Sequence, residues 1–324
     1  MVFSKVEWRL AQITVYRILC GNDEFQGGFM YGLTGSIVAI VTPFRSGKVD
    51  YHKLRELVEF QLENGTDGIV ACGTTGEAST LIFEEHLRVI KVIIEQTRRR
   101  VPVIAGTGAN STSEAIELTR EAKVAGADGA LLVTPYYNKP TQEGLYRHYM
   151  AIADAVALPQ ILYNVPGRTG VNLLPETVAR LAYHKQIIAI KEATGSLQQA
   201  SEVLALCGEK LDVYSGDDFI TFPMMACGAK GVISVLANIM PREVGDLTDA
   251  FFAGDLEKAR QLHLHLLKIA NAMFIESNPG PVKTALNLMG KCSGDLRLPL
   301  CEMSKANQVK LANIMRDYRL IEEK

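Results

Sequence analysis

Eight short apolar runs, each followed by a longer amphipathic segment and a brief link, predict an α/β chain folded as a closed parallel TIM (β/α)8 barrel. A second observation agrees. Two helix-to-strand links share a wording, Asn64-Gly65-Thr66-Asp67-Gly68 and Ala125-Gly126-Ala127-Asp128-Gly129, as fits a helix that ends on glycine and turns tightly into the next strand. A third is that this alternation stops after Phe252, beyond which only helical spacing persists, predicting a C-terminal helical appendage.

In chain order, the predicted strands are Ser36–Val41, Gly68–Cys72, Val101–Ala105, Ala130–Thr134, Gln160–Tyr163, Ile187–Lys191, Asp212–Ser215 and Gly231–Val235. They are continuous apolar runs rather than alternating ones, as strands covered on both faces require. The predicted helices are Tyr51–Asn64, Glu84–Thr97, Ser113–Ala125, Gln142–Ala157, Pro175–Ala182, Leu197–Cys207, Asp218–Cys227 and Pro241–Phe252. Leu256–Ile275, Pro281–Leu288 and Glu302–Tyr318 follow, with Leu262, Leu266, Ile269 and Met273 on one helical face. The chain thus divides into residues 1–29, read as a leader or upstream extension, a barrel over 30–253, and helices over 254–324. Polar residues interrupt residues 1–29 too often for a secretory signal core.

With 324 residues, 48% of them hydrophobic, and a formal net charge of -2, the chain can bury a large core and carries no basic excess suited to nucleic acid or anionic membrane. Its six cysteines form no Cys-x-x-Cys pair, which fits reduced thiols in the cytoplasm. No apolar run is long enough to span a bilayer. No cluster has metal-ligand spacing, and no glycine fingerprint after the first strand implies a dinucleotide.

In such a barrel the reactive groups follow the strands' C-terminal ends. The sixth run, Ile187-Ile188-Ala189-Ile190, delivers Lys191 to that end. An ammonium taken out of water favours its neutral form, and a neutral amine attacks carbonyl carbon. Lys191 is therefore the candidate Schiff-base lysine, the bland alternative being an amine that snorkels to solvent. Cys72 precedes Gly73-Thr74-Thr75-Gly76-Glu77, whose amides and two hydroxyls can hold a carboxylate or relay a proton, though such turns are also common punctuation. Tyr136 and Tyr137 follow the fourth strand, and Tyr163 ends the fifth. A tyrosine at the rim can pass a proton or merely pack there. Arg168 can grip a carboxylate with two parallel bonds or form a surface ion pair. For Asp217 and Asp218, after the seventh strand, helix capping is preferred over catalysis.

Gly-Thr-Thr-Gly-Glu at 73–77, Tyr-Asn-Val-Pro-Gly-Arg-Thr-Gly at 163–170 and Ile-Lys-Glu-Ala at 190–193 closely resemble the dihydrodipicolinate (4-hydroxy-tetrahydrodipicolinate) synthase family of class I, pyruvate-dependent aldolases, and the likeness runs from about Met30 onward. The resemblance implies a lyase of lysine and diaminopimelate biosynthesis that condenses pyruvate with L-aspartate 4-semialdehyde, with no cofactor beyond the imine on Lys191. It implies Tyr163, Thr75 and a neighbouring subunit's Tyr137 as a proton relay, Thr74 and Thr75 on the pyruvate carboxylate, Arg168 on the second substrate's carboxylate, and Gly216 and Ile233 lining the site. It further implies a homotetramer built as a dimer of dimers, with feedback inhibition by L-lysine at Ser79, His86, Asn110, Glu114 and Tyr136. Phe83 stands where some sensitive members carry histidine. Sialic acid and sugar-acid lyases share the tyrosine and lysine but need groups for a polyol tail, so another pyruvate-dependent aldolase is the alternative. A catalytically silent barrel that senses a small acid is a third reading.

Overall fold

A computed structural model describes Met30 and residues 32–322. The leader assigned to residues 1–29 lies outside the described residues. Eight parallel strands close into a barrel: β1 (Gly35–Ala39), β2 (Gly68–Ala71), β3 (Val103–Gly106), β4 (Gly129–Val133), β5 (Gln160–Asn164), β6 (Ile187–Glu192), β7 (Asp212–Ser215) and β8 (Gly231–Ser234). Each pairs with its neighbours in sequence, and β8 returns to β1. The seam needs glycine. Gly35 and Gly231 are register partners, and a Cβ on Gly231, at φ +144°, would sit 2.0 Å from the Gly35 oxygen.

Around the strands lie α1 (Tyr51–Glu63), α2 (Phe83–Thr97), α3 (Thr112–Ala125), α4 (Gln142–Ala155), α5 (Pro175–Leu181), α6 (Leu197–Cys207), α7 (Thr221–Ala226) and α8 (Pro241–Phe252). Then come α9 (Leu256–Ala272), α10 (Gly280–Leu288) and α11 (Lys305–Asp317). Asp50, Thr141 and Ser196 cap α1, α4 and α6 by accepting backbone N–H groups of the first turn. Gly126 ends α3 in the left-handed region at φ +94°. The repeated links also pin the barrel floor, since Asp67 accepts the Ser36 N–H at 2.7 Å and Asp128 that of Val103 at 2.9 Å.

Strand alternation sorts side chains into two cores. Ile37, Val70, Ile104, Leu131, Ile161 and Ala189 fill the barrel interior, whereas Ile69, Leu132, Leu162 and Ile190 face the helices. Met30 closes the interior below, against Gly129.

Several boundaries differ from those predicted, each for a local reason. Cys72 adopts φ +53°, so β2 stops at Ala71. β6 runs one residue past Lys191 because Glu192 still pairs with Asn164 and Ser215. The helix expected over Asp218–Cys227 divides into a 3-10 turn, Asp218–Ile220, and α7. An α-helix begun at Asp218 would place Pro223, with no N–H to give, inside its hydrogen-bond ladder. Val165 leads into a single helical turn, Pro166–Thr169, with proline at its first position. A short hairpin, Phe44–Arg45 with Lys48–Val49, follows β1.

Candidate active site

Lys191 and Tyr163 are register partners on adjacent strands. Two residues along β6 from Ala189, and two along β5 from Ile161, both side chains fall on the barrel's inner face by the pleat. Lys191 is 5% exposed and Tyr163 is 6% exposed, and the lysine Nζ stands 4.4 Å from the centre of the tyrosine ring. An ammonium over an aromatic face is attracted by the ring's negative potential. The Tyr163 hydroxyl makes no hydrogen bond among the described residues.

Acidic groups from β7 complete the electrostatics. Burial pushes the Asp217 carboxyl up to about 6, with the positive charge of Lys191 pulling the other way. Burial also raises Asp218, whose carboxylate accepts from Ser234 Oγ at 2.5 Å and from the Val235 and Leu236 N–H groups at 3.0 and 3.1 Å. These bonds replace the capping role expected of Asp218, because its oxygens are spent on the turn after β8. Asp217 makes no side-chain cap bond either. Gly216 must stay glycine, since a Cβ there would lie 2.4 Å from that of Ala193. Ile233 is fully buried in the interior cluster that also contains Tyr163.

Thr75 is buried and Thr74 half-buried in the loop after β2. Thr75 Oγ1 accepts a hydrogen bond from Asn278 Nδ2 at 3.0 Å, and no bond joins it directly to Tyr163 among the described residues. Arg168, on the turn after β5, is exposed, with Nη2 donating to the Asn278 backbone oxygen at 3.3 Å. Tyr137 is 89% exposed at φ +72°, and its side chain makes no hydrogen bond among the described residues.

Of the residues expected to bind lysine, three gather where the loops holding Asn110 and Tyr136 meet the first turn of α3, which carries Glu114. The Asn110 backbone reaches the Tyr136 hydroxyl, and burial, then the charge of Glu114, raises that phenol. His86 is buried in α2, with Nε2 2.7 Å from the Gly106 oxygen. A carbonyl can only accept, so Nε2 carries the proton and Nδ1 is left as an acceptor. Ser79 lies exposed in a 3-10 turn, and no hydrogen bond joins it or His86 to the other three among the described residues.

Sequence reasoning missed the groups that hold these residues in place. Lys283 in α10 and Glu77 are fully buried and meet at 2.6 Å. A lone lysine beside Val282, Ala285 and Leu286 was the available signal. Glu192 accepts from Thr194, Asn164 and Gln199, which fixes the ends of β5 and β6. Nothing local marks Asn278, whose importance comes from tertiary contact alone.

The model of the dihydrodipicolinate synthetase family matches residues 32–318. The chain belongs to that family. A 4-hydroxy-tetrahydrodipicolinate synthase of Geobacter sulfurreducens is 78% identical over 287 residues, which is 89% of this chain and 99% of the relative. Among solved structures, the chloride-inhibited dihydrodipicolinate synthase of Acinetobacter baumannii complexed with pyruvate is 52% identical with a TM-score of 0.88, covering 89% of this chain and all of that one. The lysine-bound enzyme of Cyanidioschyzon merolae is 39% identical with a TM-score of 0.87, covering 90% and 99%. The dihydrodipicolinate synthetase family assignment makes this chain a lyase of the class I aldolase type.

Proposed function

We propose that Lys191 captures pyruvate as an imine and that the chain condenses it with L-aspartate 4-semialdehyde to give 4-hydroxy-tetrahydrodipicolinate, in lysine and diaminopimelate biosynthesis. The observation that carries the assignment of Lys191 is its buried amine over the Tyr163 ring at the barrel mouth. The amine attacks the keto carbon and, with loss of water, forms the imine. Loss of a methyl proton gives an enamine, whose carbon attacks the aldehyde. The amino group of the second substrate then displaces Lys191 and closes the ring.

Tyr163 moves protons in these steps, with Thr75 and the partner's Tyr137 extending the relay. Thr74 and Thr75 also hold the pyruvate carboxylate, and Arg168 that of the aldehyde substrate. Gly216 and Ile233 shape the cavity. The bond Thr75 makes here is to Asn278, which supports its carboxylate-binding role more directly than its relay role. The exposed, left-handed Tyr137 fits a ring donated across an interface, within a dimer of dimers. L-Lysine binds at Tyr136, Asn110 and Glu114, with Ser79 and His86 completing the site, and inhibits. No described helix is long and apolar enough to cross a membrane, and the proposed location is the cytoplasm.

Borohydride reduction with pyruvate tests the central step. The expected product is a stable adduct mapped by mass to Lys191 and absent from Lys191→Ala. A folded protein that never acquires the adduct would support the silent-sensor alternative.

A further inference from the structure

Asn278 sits between α9 and α10, far in sequence from every strand end, yet it touches two groups assigned to substrate carboxylates. It is 4% exposed. Its Nδ2 donates to Thr75 Oγ1, and its backbone oxygen accepts from Arg168 Nη2, at 3.0 and 3.3 Å. A threonine hydroxyl has one proton and two lone pairs. Because Asn278 occupies a lone pair and the Thr75 hydroxyl has no other bond among the described residues, its proton is left for an acceptor arriving in the site.

We propose that Asn278 is a positioning residue that presents the Thr75 hydroxyl as a donor to the pyruvate carboxylate and steadies Arg168 for the second substrate; this rests on the reading of the site given above. The loop it bonds is clamped to the same appendage at a second point. Glu77 Oε1 meets Lys283 Nζ at 2.6 Å, and Glu77 Oε2 accepts the Arg297 backbone N–H at 3.2 Å. The clamp fixes the separation across which Asn278 reaches Thr75.

The test is steady-state kinetics on the full-length chain with both substrates, with borohydride trapping alongside. Asn278→Leu removes the donor. Asn278→Asp keeps the shape, but an ionised carboxylate only accepts, so it draws the Thr75 proton away from substrate. Both variants are expected to raise the KM for pyruvate about tenfold, with a smaller change in kcat, as for loss of one hydrogen bond to a charged ligand. Thr75→Val, which removes the hydroxyl itself, should raise the KM for pyruvate at least as much and also lower kcat through the relay, and Asn278→Leu combined with Thr75→Val should be no worse than Thr75→Val alone. Additive losses, or an unchanged KM, overturn the proposal; Asn278→Asp decides the matter if Asn278→Leu does not fold. The Schiff-base reading fails separately, by absence of a pyruvate adduct on Lys191 in the wild-type protein.

Discussion

Asp217 ties the chemistry of Lys191 to pH. Burial pushes its carboxyl up to about 6 in the fold, from an ordinary value of 3.8. Between those values the folded chain holds a proton that the unfolded chain has released. This group's contribution to stability is therefore full below 3.8 and lost as pH rises through about 6. The same ionisation places a carboxylate beside Lys191, where it favours the positively charged imine. Initial rates of condensation are expected to rise through pH 6 in the wild type, and Asp217→Asn should remove that limb. Denaturant unfolding across the same range should show the variant losing less stability than wild type as pH rises from 4 to 6. A limb that survives the substitution would assign the titration to another group.

At the scale of elements, the appendage is held to the barrel by charge as well as by packing. Lys283 and Glu77 are both fully buried, and Lys283 Nζ also stands 4.2 Å from the centre of the Phe44 ring. Burial lowers Lys283, and the Glu77 carboxylate opposes that shift. Removing one partner strands the other charge in the core. Lys283→Met is expected to lower unfolding free energy by about 3–5 kcal/mol, measured with denaturant, and adding Glu77→Gln should recover part of the loss. A single-variant loss below about 1 kcal/mol, as at exposed pairs, would refute the burial argument. These contacts also explain what the sequence made legible. Alternating apolar runs and amphipathic segments mark strands and helices through local periodicity, and Lys191, Tyr163 and Arg168 stand out because they break an apolar run or follow one. Asn278 and Glu192 act through partners distant in sequence or on a neighbouring element, so local pattern carries no mark of their roles, and for Lys283 the apolar neighbours signal burial but not the distant Glu77 that pairs with it. The capping expected of Asp218 misled because that carboxylate serves β8 rather than its own turn.

For the whole molecule, the telling residue is Tyr137, exposed on its own chain and held at φ +72°. If it completes a neighbouring subunit's site, two defective chains can repair each other. Tyr137→Phe is expected to lose roughly 10²-fold or more in kcat, in the range of a lost proton-transfer group, and Lys191→Ala all detectable condensation. Mixed and re-equilibrated, they should regain activity at interfaces where Tyr137 of one chain meets Lys191 of the other. Hybrids of verified composition that stay inactive would place the phenol outside the shared site.

The pairing of Glu77 with Lys283 also bears on how the chain matures during synthesis. All eight strands have been made once Ser234 is added, but the ammonium that neutralises the buried carboxylate arrives later. A ribosome-bound barrel therefore carries either an uncompensated charge or a hydrated, unfinished loop beside the second strand. The Gly-Thr-Thr-Gly turn is therefore expected to settle only after translation has passed the barrel itself.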